Sequence, residues 1–304
     1  MTEQDIIKEI NRLKEEKNAV ILAHNYQRKE IQEIADILGD SLDLSRKAKE
    51  LDKDIIVFAG VRFMAETAKI LSPHKKVLLP HPDATCEMAD MVTREDVIEL
   101  RKKYPDAKIV CYVNTYADVK AECDICCTSR NAENVVRSLD AKRIIFIPDR
   151  NLAAYVQSKV PEKEIIPFDG YCYVHDELIT QKDLIIAKEK HPDAKVITHP
   201  EAREEILKMS DFVASTNGML TIVKETPYNE FIIATEVDMV TRLKEMFPDK
   251  KFYPASKNAI CRGMKTITLE SIYKSLLKEQ YEVVLSSEII EKAKSALEKM
   301  IEIS

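Results

Sequence analysis

The sequence predicts an α/β protein of three units related by a pseudo-threefold axis, each a parallel sheet covered by helices, with the active site at their central interface. Three observations predict it. Short apolar runs alternate with amphipathic stretches along the chain, the pattern of strands buried on both faces between crossover helices. One segment recurs: Thr93, an apolar helix pattern, Tyr104-Pro105-Asp106-Ala107-Lys108 and the strand Ile109-Val110-Cys111-Tyr112 reappear as Thr180, a similar helix, His191-Pro192-Asp193-Ala194-Lys195 and Val196-Ile197-Thr198-His199. Lys108 and Lys195 are 87 positions apart. Finally, one cysteine stands just before each boundary threonine: Cys86 is seven residues before Thr93, Cys172 eight before Thr180, and Cys261 seven before Thr268.

The first unit, residues 1–92, opens with the helix pattern of Ile6, Ile7, Ile10 and Leu13 and then a strand at Ala19-Val20-Ile21-Leu22-Ala23. Further strands are predicted at 54–58 and 77–79, which leaves this unit one strand–helix step shorter than the others. The second unit, residues 93–179, gives strands at 109–112, 125–128, 144–147 and 165–168. The third, residues 180–266, gives strands at 196–198, 212–214, 231–234 and 252–253. Thr93-x-x-Asp96 and Thr180-x-x-Asp183 start their helices with a side-chain oxygen for the free N–H groups and an acid at the positive end of the helix dipole. The tail, residues 267–304, begins like a fourth copy. It continues into a helix over 288–300 that is expected to pack back on the first unit and close a triangle.

Composition excludes several function classes. With 45% apolar and 32% charged residues, the chain has the makeup of a globular protein with a substantial core. A net charge of −6 without a dense basic run argues against nucleic acid. No apolar stretch approaches the ~20 residues that span a bilayer, and the charged start Met1-Thr2-Glu3-Gln4-Asp5 contains no signal peptide, so a cytoplasmic protein is expected. Five glycines and no Gly-x-Gly-x-x-Gly or phosphate-binding Gly-rich loop exclude a dinucleotide fingerprint. Seven cysteines, an odd number, point to free, metal-bound or reactive thiols more than to disulfides.

Ligands of parallel sheets bind beyond the carboxyl ends of the strands. There the first strands of the three units run out into His24-Asn25-Tyr26, Tyr112-Val113-Asn114 and His199-Pro200-Glu201, and second strands into Cys127-Thr128-Ser129 and Ala214-Ser215-Thr216. Titratable and hydroxyl groups are thus expected around one cavity. Ser41, Ser129, Ser215 and Thr216 stand at or near helix starts, where a phosphate or carboxylate can be held.

Cys86, Cys172 and Cys261 lie 86 and 89 residues apart, unlike the paired knuckles of structural zinc sites. One thiolate per unit suits a single centre on the axis. A 4Fe-4S cubane held by three cysteines keeps one iron without a protein ligand, a Lewis acid for a substrate oxygen. Cys123-x-x-Cys126-Cys127 lacks a second half and reads as structural, with Cys126, Cys127 and Cys111 in strand core and a redox pair as the alternative. His175, three residues after Cys172, stands beside the metal ligands; His191 reads as a turn residue.

At these residues the chain resembles quinolinate synthase, an iron–sulfur enzyme of NAD biosynthesis. The resemblance runs over nearly the whole length: His24-Asn25-Tyr26, Gly39-Asp40-Ser41, Phe63-Met64-Ala65-Glu66-Thr67-Ala68-Lys69, Ala84-Thr85-Cys86-x-Met88-Ala89, Tyr112-Val113-Asn114, Thr128-Ser129, Pro148-Asp149-Arg150-Asn151-Leu152, Gly170-x-Cys172-x-Val174-His175, His199-Pro200-Glu201, Ser215-Thr216 and Cys261-x-x-Met264-Lys265. Ala202 departs from the family's usual cysteine, which removes a candidate fourth ligand.

The resemblance implies condensation of iminoaspartate with dihydroxyacetone phosphate to quinolinate, with loss of phosphate and two waters. It implies a 4Fe-4S cluster on Cys86, Cys172 and Cys261, and a supply of iminoaspartate by an L-aspartate-oxidising enzyme. His24, Tyr26, Tyr112 and Glu201 are the expected catalytic groups. His24, Ser41, Tyr112, Val113, Asn114, Ser129, His175, His199, Pro200, Glu201, Ser215 and Thr216 are the expected substrate contacts. The residues themselves leave two other readings: another 4Fe-4S hydro-lyase acting on a small hydroxy acid, or a non-enzymatic iron or oxygen sensor. The latter would be expected to carry a basic DNA-reading element, which is missing.

Overall fold

A computed structural model describes residues 1–303. The chain forms three four-stranded sheets, every pair of strands parallel. The first contains β1 (Ala19–His24), β2 (Ile37–Gly39), β3 (Ile55–Ala59) and β4 (Lys76–Leu78). The second contains β5 (Lys108–Tyr112), β6 (Ile125–Cys127), β7 (Arg143–Ile147) and β8 (Glu164–Pro167). The third contains β9 (Lys195–Thr198), β10 (Phe212–Val213), β11 (Glu230–Ala234) and β12 (Lys251–Pro254). All three have the same order, second-first-third-fourth: β2-β1-β3-β4, β6-β5-β7-β8 and β10-β9-β11-β12. This is the α/β arrangement with pseudo-threefold symmetry that the repeat predicts.

The first unit is not a step short. β2 pairs with β1 at Leu22↔Ile37, Ala23↔Leu38 and His24↔Gly39, so its sheet is complete. Three residues ending in glycine are too few for an apolar run to stand out from a loop.

Each unit repeats its local devices. Thr2, Thr93, Thr180 and Thr268 are N-caps with reciprocal capping boxes, closed by Asp5, Asp96, Asp183 and Ser271. Just before each second strand an aspartate accepts the backbone N–H of the first: Asp36 from Ile21 at 2.8 Å, Asp124 from Ile109 at 2.9 Å and Asp211 from Val196 at 2.8 Å. Just before each fourth strand a lysine donates to the last carbonyls of a helix. Lys75 reaches Ala48 and Leu51, Lys163 reaches Arg137 and Leu139, and Lys250 reaches Val223 and Thr226.

The helix Leu269–Lys278 lies against Glu3–Glu16 and β3. The last helix, Ser287–Glu302, lies against β6 and the helices Arg62–Leu71 and Ala117–Lys120, so it bridges the first two sheets. No helix among the described residues is long and apolar enough to cross a membrane.

Candidate active site

The carboxyl ends of the first and second strands, with those of β3 and β11, face a cavity between the three units, with an empty volume of about 690 Å³, open solvent at its mouth included. β1 delivers His24 and, two residues on, Tyr26; β5 delivers Tyr112 and Asn114; β9 leads into His199 and Glu201. The apolar strands fix these positions because their own side chains are locked in the core.

A buried chain of polar groups crosses the cavity wall. The Tyr26 hydroxyl lies 2.5 Å from Thr235 Oγ1, which lies 2.8 Å from His175 Nε2. His175 Nδ1 is 2.9 Å from Glu201 Oε2, without the alignment of a full hydrogen bond. Glu201 Oε1 accepts a hydrogen bond from the Tyr112 hydroxyl. His199 stacks on His175 with ring centroids 4.6 Å apart, and its Nε2 meets Ser129 Oγ at 3.2 Å. Hydrogen bonds and the 2.9 Å His175–Glu201 contact thus join Tyr26 to Tyr112 through Thr235, His175 and Glu201.

Burial decides the charge states. It lowers His24 and His199 to about 3, so both imidazoles are neutral near pH 7. Tyr26 and Tyr112 are pushed well above the usual phenol range, by burial first and then by the charge of Glu201. Burial also pushes Glu201 up, but the imidazoles of His199 and His175 and the Tyr112 hydroxyl outweigh it and hold this carboxyl below its usual range. His24 Nδ1 accepts the Tyr26 backbone N–H at 3.2 Å, which assigns the ring proton to Nε2.

Cys86, Cys172 and Cys261 line the same cavity, one from each unit, all as free thiols. Backbone N–H groups of the short turn that follows each cysteine favour its thiolate: Met88 and Ala89 for Cys86, His175 for Cys172, Gly263 and Met264 for Cys261. Cys172 and Cys261 are themselves the N-caps of the helices Tyr173–Asp176 and Arg262–Lys265. Burial pushes all three thiols up, Cys261 to about 11, and Cys172 is raised further by Glu201, Cys86 and Cys261. Three half-buried thiols that disfavour one another as anions, yet have backbone N–H groups that favour the thiolate, fit a cationic iron–sulfur centre. Close packing holds their loops. A Cβ on Gly263 would stand 2.0 Å from the Thr85 carbonyl, so only glycine lets the Cys261 and Cys86 loops touch. Ligand atoms of Cys172, His175 and Glu201 also lie within 4.8 Å of one another, but the latter two are engaged with Thr235 and Tyr112.

Of the residues singled out by sequence, His24, Tyr26, Ser41, Tyr112, Asn114, Ser129, His175, His199, Glu201, Thr216 and the three cysteines line the cavity. Val113, Pro200 and Ser215 do not. Val113 donates its backbone N–H to the Cys127 carbonyl at 2.9 Å, Pro200 is buried outside the cavity lining, and Ser215 caps the helix Thr216–Glu225. Cys111, Cys123, Cys126 and Cys127 are not in the wall either; Cys111 and Cys126 are cross-strand neighbours in the second sheet. His191 stacks on Tyr253 at 3.4 Å, away from the cavity. Sequence reasoning missed Thr235 and Glu236 and gave Lys265 no role beyond the motif that contains it. The first two follow β11, a third strand, and the strand-end rule covers third strands as well as first ones. Lys265 pairs with Glu236 at 2.8 Å and Asp238 at 2.7 Å beneath Tyr26.

A family model described as "Quinolinate synthetase A protein" matches residues 8–302. Three curated proteins named quinolinate synthase are similar over their whole length. That of Thermococcus kodakarensis is 52% identical over 306 residues, covering 100% of both chains. That of Methanocaldococcus jannaschii is 55% identical over 305 residues, 98% of this chain and 99% of its own. That of Pyrococcus furiosus is 51% identical, covering 99% of each.

Proposed function

The chain belongs to the quinolinate synthase family, and from that premise we propose how its central cavity serves the reaction. The protein is an enzyme that makes quinolinate, and Cys86, Cys172 and Cys261 hold its 4Fe-4S cluster. When bound, the cluster supplies an iron without a protein ligand, a Lewis acid for a substrate nitrogen, carboxylate or hydroxyl. The substrates are iminoaspartate and dihydroxyacetone phosphate; phosphate and two waters leave as the ring closes. The observation that carries this reading is the buried path from Tyr26 to Tyr112 in the same cavity wall as the three cysteines.

Isomerising a keto sugar and eliminating water both require a proton to leave carbon and another to reach an oxygen. Tyr26, neutral and hydrogen-bonded to Thr235, gives and takes that proton at its hydroxyl oxygen. Thr235 passes it to His175 Nε2, and Glu201, an anion across neutral pH, stabilises the imidazolium that forms. Tyr112 holds the other Glu201 oxygen and keeps the carboxylate aimed at His175. Asn114 Oδ1 is buried without a protein partner and accepts a substrate N–H or O–H. His24 Nε2 and His199 are uncharged donors for substrate carboxylates. The phosphate is held by Ser41, Ser129 and Thr216 with the starts of the helices Ser41–Glu50 and Thr216–Glu225.

Seven free thiols suit a reducing cytoplasm. Iminoaspartate hydrolyses readily, so an enzyme that oxidises L-aspartate is the fitting source. The test is anaerobic: the iron- and sulfide-reconstituted protein should form quinolinate from the two substrates. Tyr26→Phe should keep its iron and lose about 10²- to 10⁴-fold in turnover. Near-native turnover by that variant overturns the proton path. Full iron retention after Cys86→Ala, Cys172→Ala or Cys261→Ala overturns the ligand set.

A further inference from the structure

Immediately after the three cysteines come Glu87, Tyr173 and Arg262, one per unit and of three different chemistries. They meet on the outer side of the cysteines. Arg262 Nη2 lies 2.7 and 2.9 Å from the two Glu87 carboxylate oxygens, and its Nε 3.0 Å from one of them. Its guanidinium lies 4.5 Å above the Tyr173 ring. The Tyr173 hydroxyl accepts the Arg262 backbone N–H at 2.7 Å and donates to the Ile260 carbonyl at 3.1 Å. Every member is thereby held by another unit's member.

Beneath these side chains is a second cavity, with an empty volume of about 650 Å³ by the same measure, walled by the three cysteines as well as by Glu87, Tyr173 and Arg262. The cysteines also wall the central cavity, so they form a partition with substrate on one side and this outer space on the other. The Arg262 and Glu87 side chains are 71% and 45% exposed, which puts their contact at the mouth of the outer space, in reach of solvent.

We propose that Glu87, Tyr173 and Arg262 form an interlocking clasp that fixes the three cysteine loops at one spacing and restricts access to the outer face of the metal centre. The inference rests on the cluster assigned to those cysteines. An exposed ion pair contributes little by itself, but two-point Arg–carboxylate geometry stacked on an aromatic ring is the stronger form of it. The three come from separate units, so opening one contact lets a cysteine loop swing away.

The test follows the cluster and not turnover. The reconstituted protein is mixed anaerobically with a ferrous chelator and the decay of its visible absorbance is timed; a second sample is exposed to air. Arg262→Ala and Glu87→Ala should each lose the cluster roughly three- to tenfold faster than the parent protein. Arg262→Lys, which keeps the charge over Tyr173, should fall between. Exchanging the pair, Glu87→Arg with Arg262→Glu, should recover part of the protection. Lys75→Met, a destabilising change far from the site, should leave the decay unaltered. Equal decay in all variants, or equal acceleration by Lys75→Met, overturns the clasp. Should a variant fail to load, maleimide labelling of Cys86, Cys172 and Cys261 in its apoprotein decides: labelling no faster than in the parent apoprotein overturns it. A parent protein that takes up no cluster overturns the metal centre, and the clasp with it.

Discussion

Thr235 is the smallest member of the proposed proton path and the one on which its continuity depends. One hydroxyl serves Tyr26 at 2.5 Å and His175 at 2.8 Å. Thr235→Val keeps the shape and removes that link. Quinolinate formation should fall by about 10²-fold while iron content stays native, and Thr235→Ser should restore most of the rate. Unchanged turnover in the valine variant would remove Thr235 from the path. A second expectation concerns His24 and His199, neutral in the fold down to about pH 3. The unfolded chain protonates them near 6.5, so between these values it binds more protons than the native state and stability must rise with pH. Below pH 6.5 the apoprotein should therefore lose stability, by up to roughly 1.4 kcal/mol per pH unit for each histidine. Denaturant midpoints measured from pH 7 to 4.5 test this; a flat profile rejects it. The histidines, tyrosines and Glu201 were legible because equivalent strands end in them. Thr235 was not: the corresponding positions after β3 and β7 are Gly60 and Pro148, so the repeat gave no hint of a hydroxyl there.

Among the elements, strands were the most readable. Their apolar cores, such as Ile144–Ile147 and Phe231–Ala234, stood out between amphipathic helices, and the threonine caps were visible as Thr-x-x-Asp. β2 was not, and neither were the lysines that tie each fourth strand to a helix end, because a lysine beside other charged residues reads as a solvated surface. Lys75 is only 5% exposed and satisfies the carbonyls of Ala48 and Leu51. Replacing it by methionine keeps the aliphatic stem but leaves those buried acceptors with fewer donors. The expected cost is about 1–3 kcal/mol, seen as a lower urea midpoint at unchanged slope. A midpoint within error of the parent's would mean that water substitutes for the ammonium group.

At the scale of the molecule, the first two units are joined from behind by the last helix. Asn131, buried, donates to the carbonyls of Met300 at 3.0 Å and Ile303 at 2.7 Å and accepts the Thr128 N–H at 2.8 Å. It thus connects the tail to a residue of the cavity wall. Asn131→Ala should cost about 1–3 kcal/mol and speed proteolysis of the tail, while Asn131→Asp, which keeps only the acceptor, should not restore the tail contacts. Tail cleavage no faster than in the parent would show that helix packing alone holds it. The one-cysteine-per-unit arrangement also bears on how the molecule comes into being. Cys261 is translated 175 residues after Cys86, which at roughly 5–20 residues per second takes on the order of ten to thirty seconds. Throughout that interval the nascent chain offers one or two of the three thiols and no closed ring of ligands. For the proposed ligand set, iron encountered on the ribosome finds no finished cage, and loading waits until the third unit has docked against the first two.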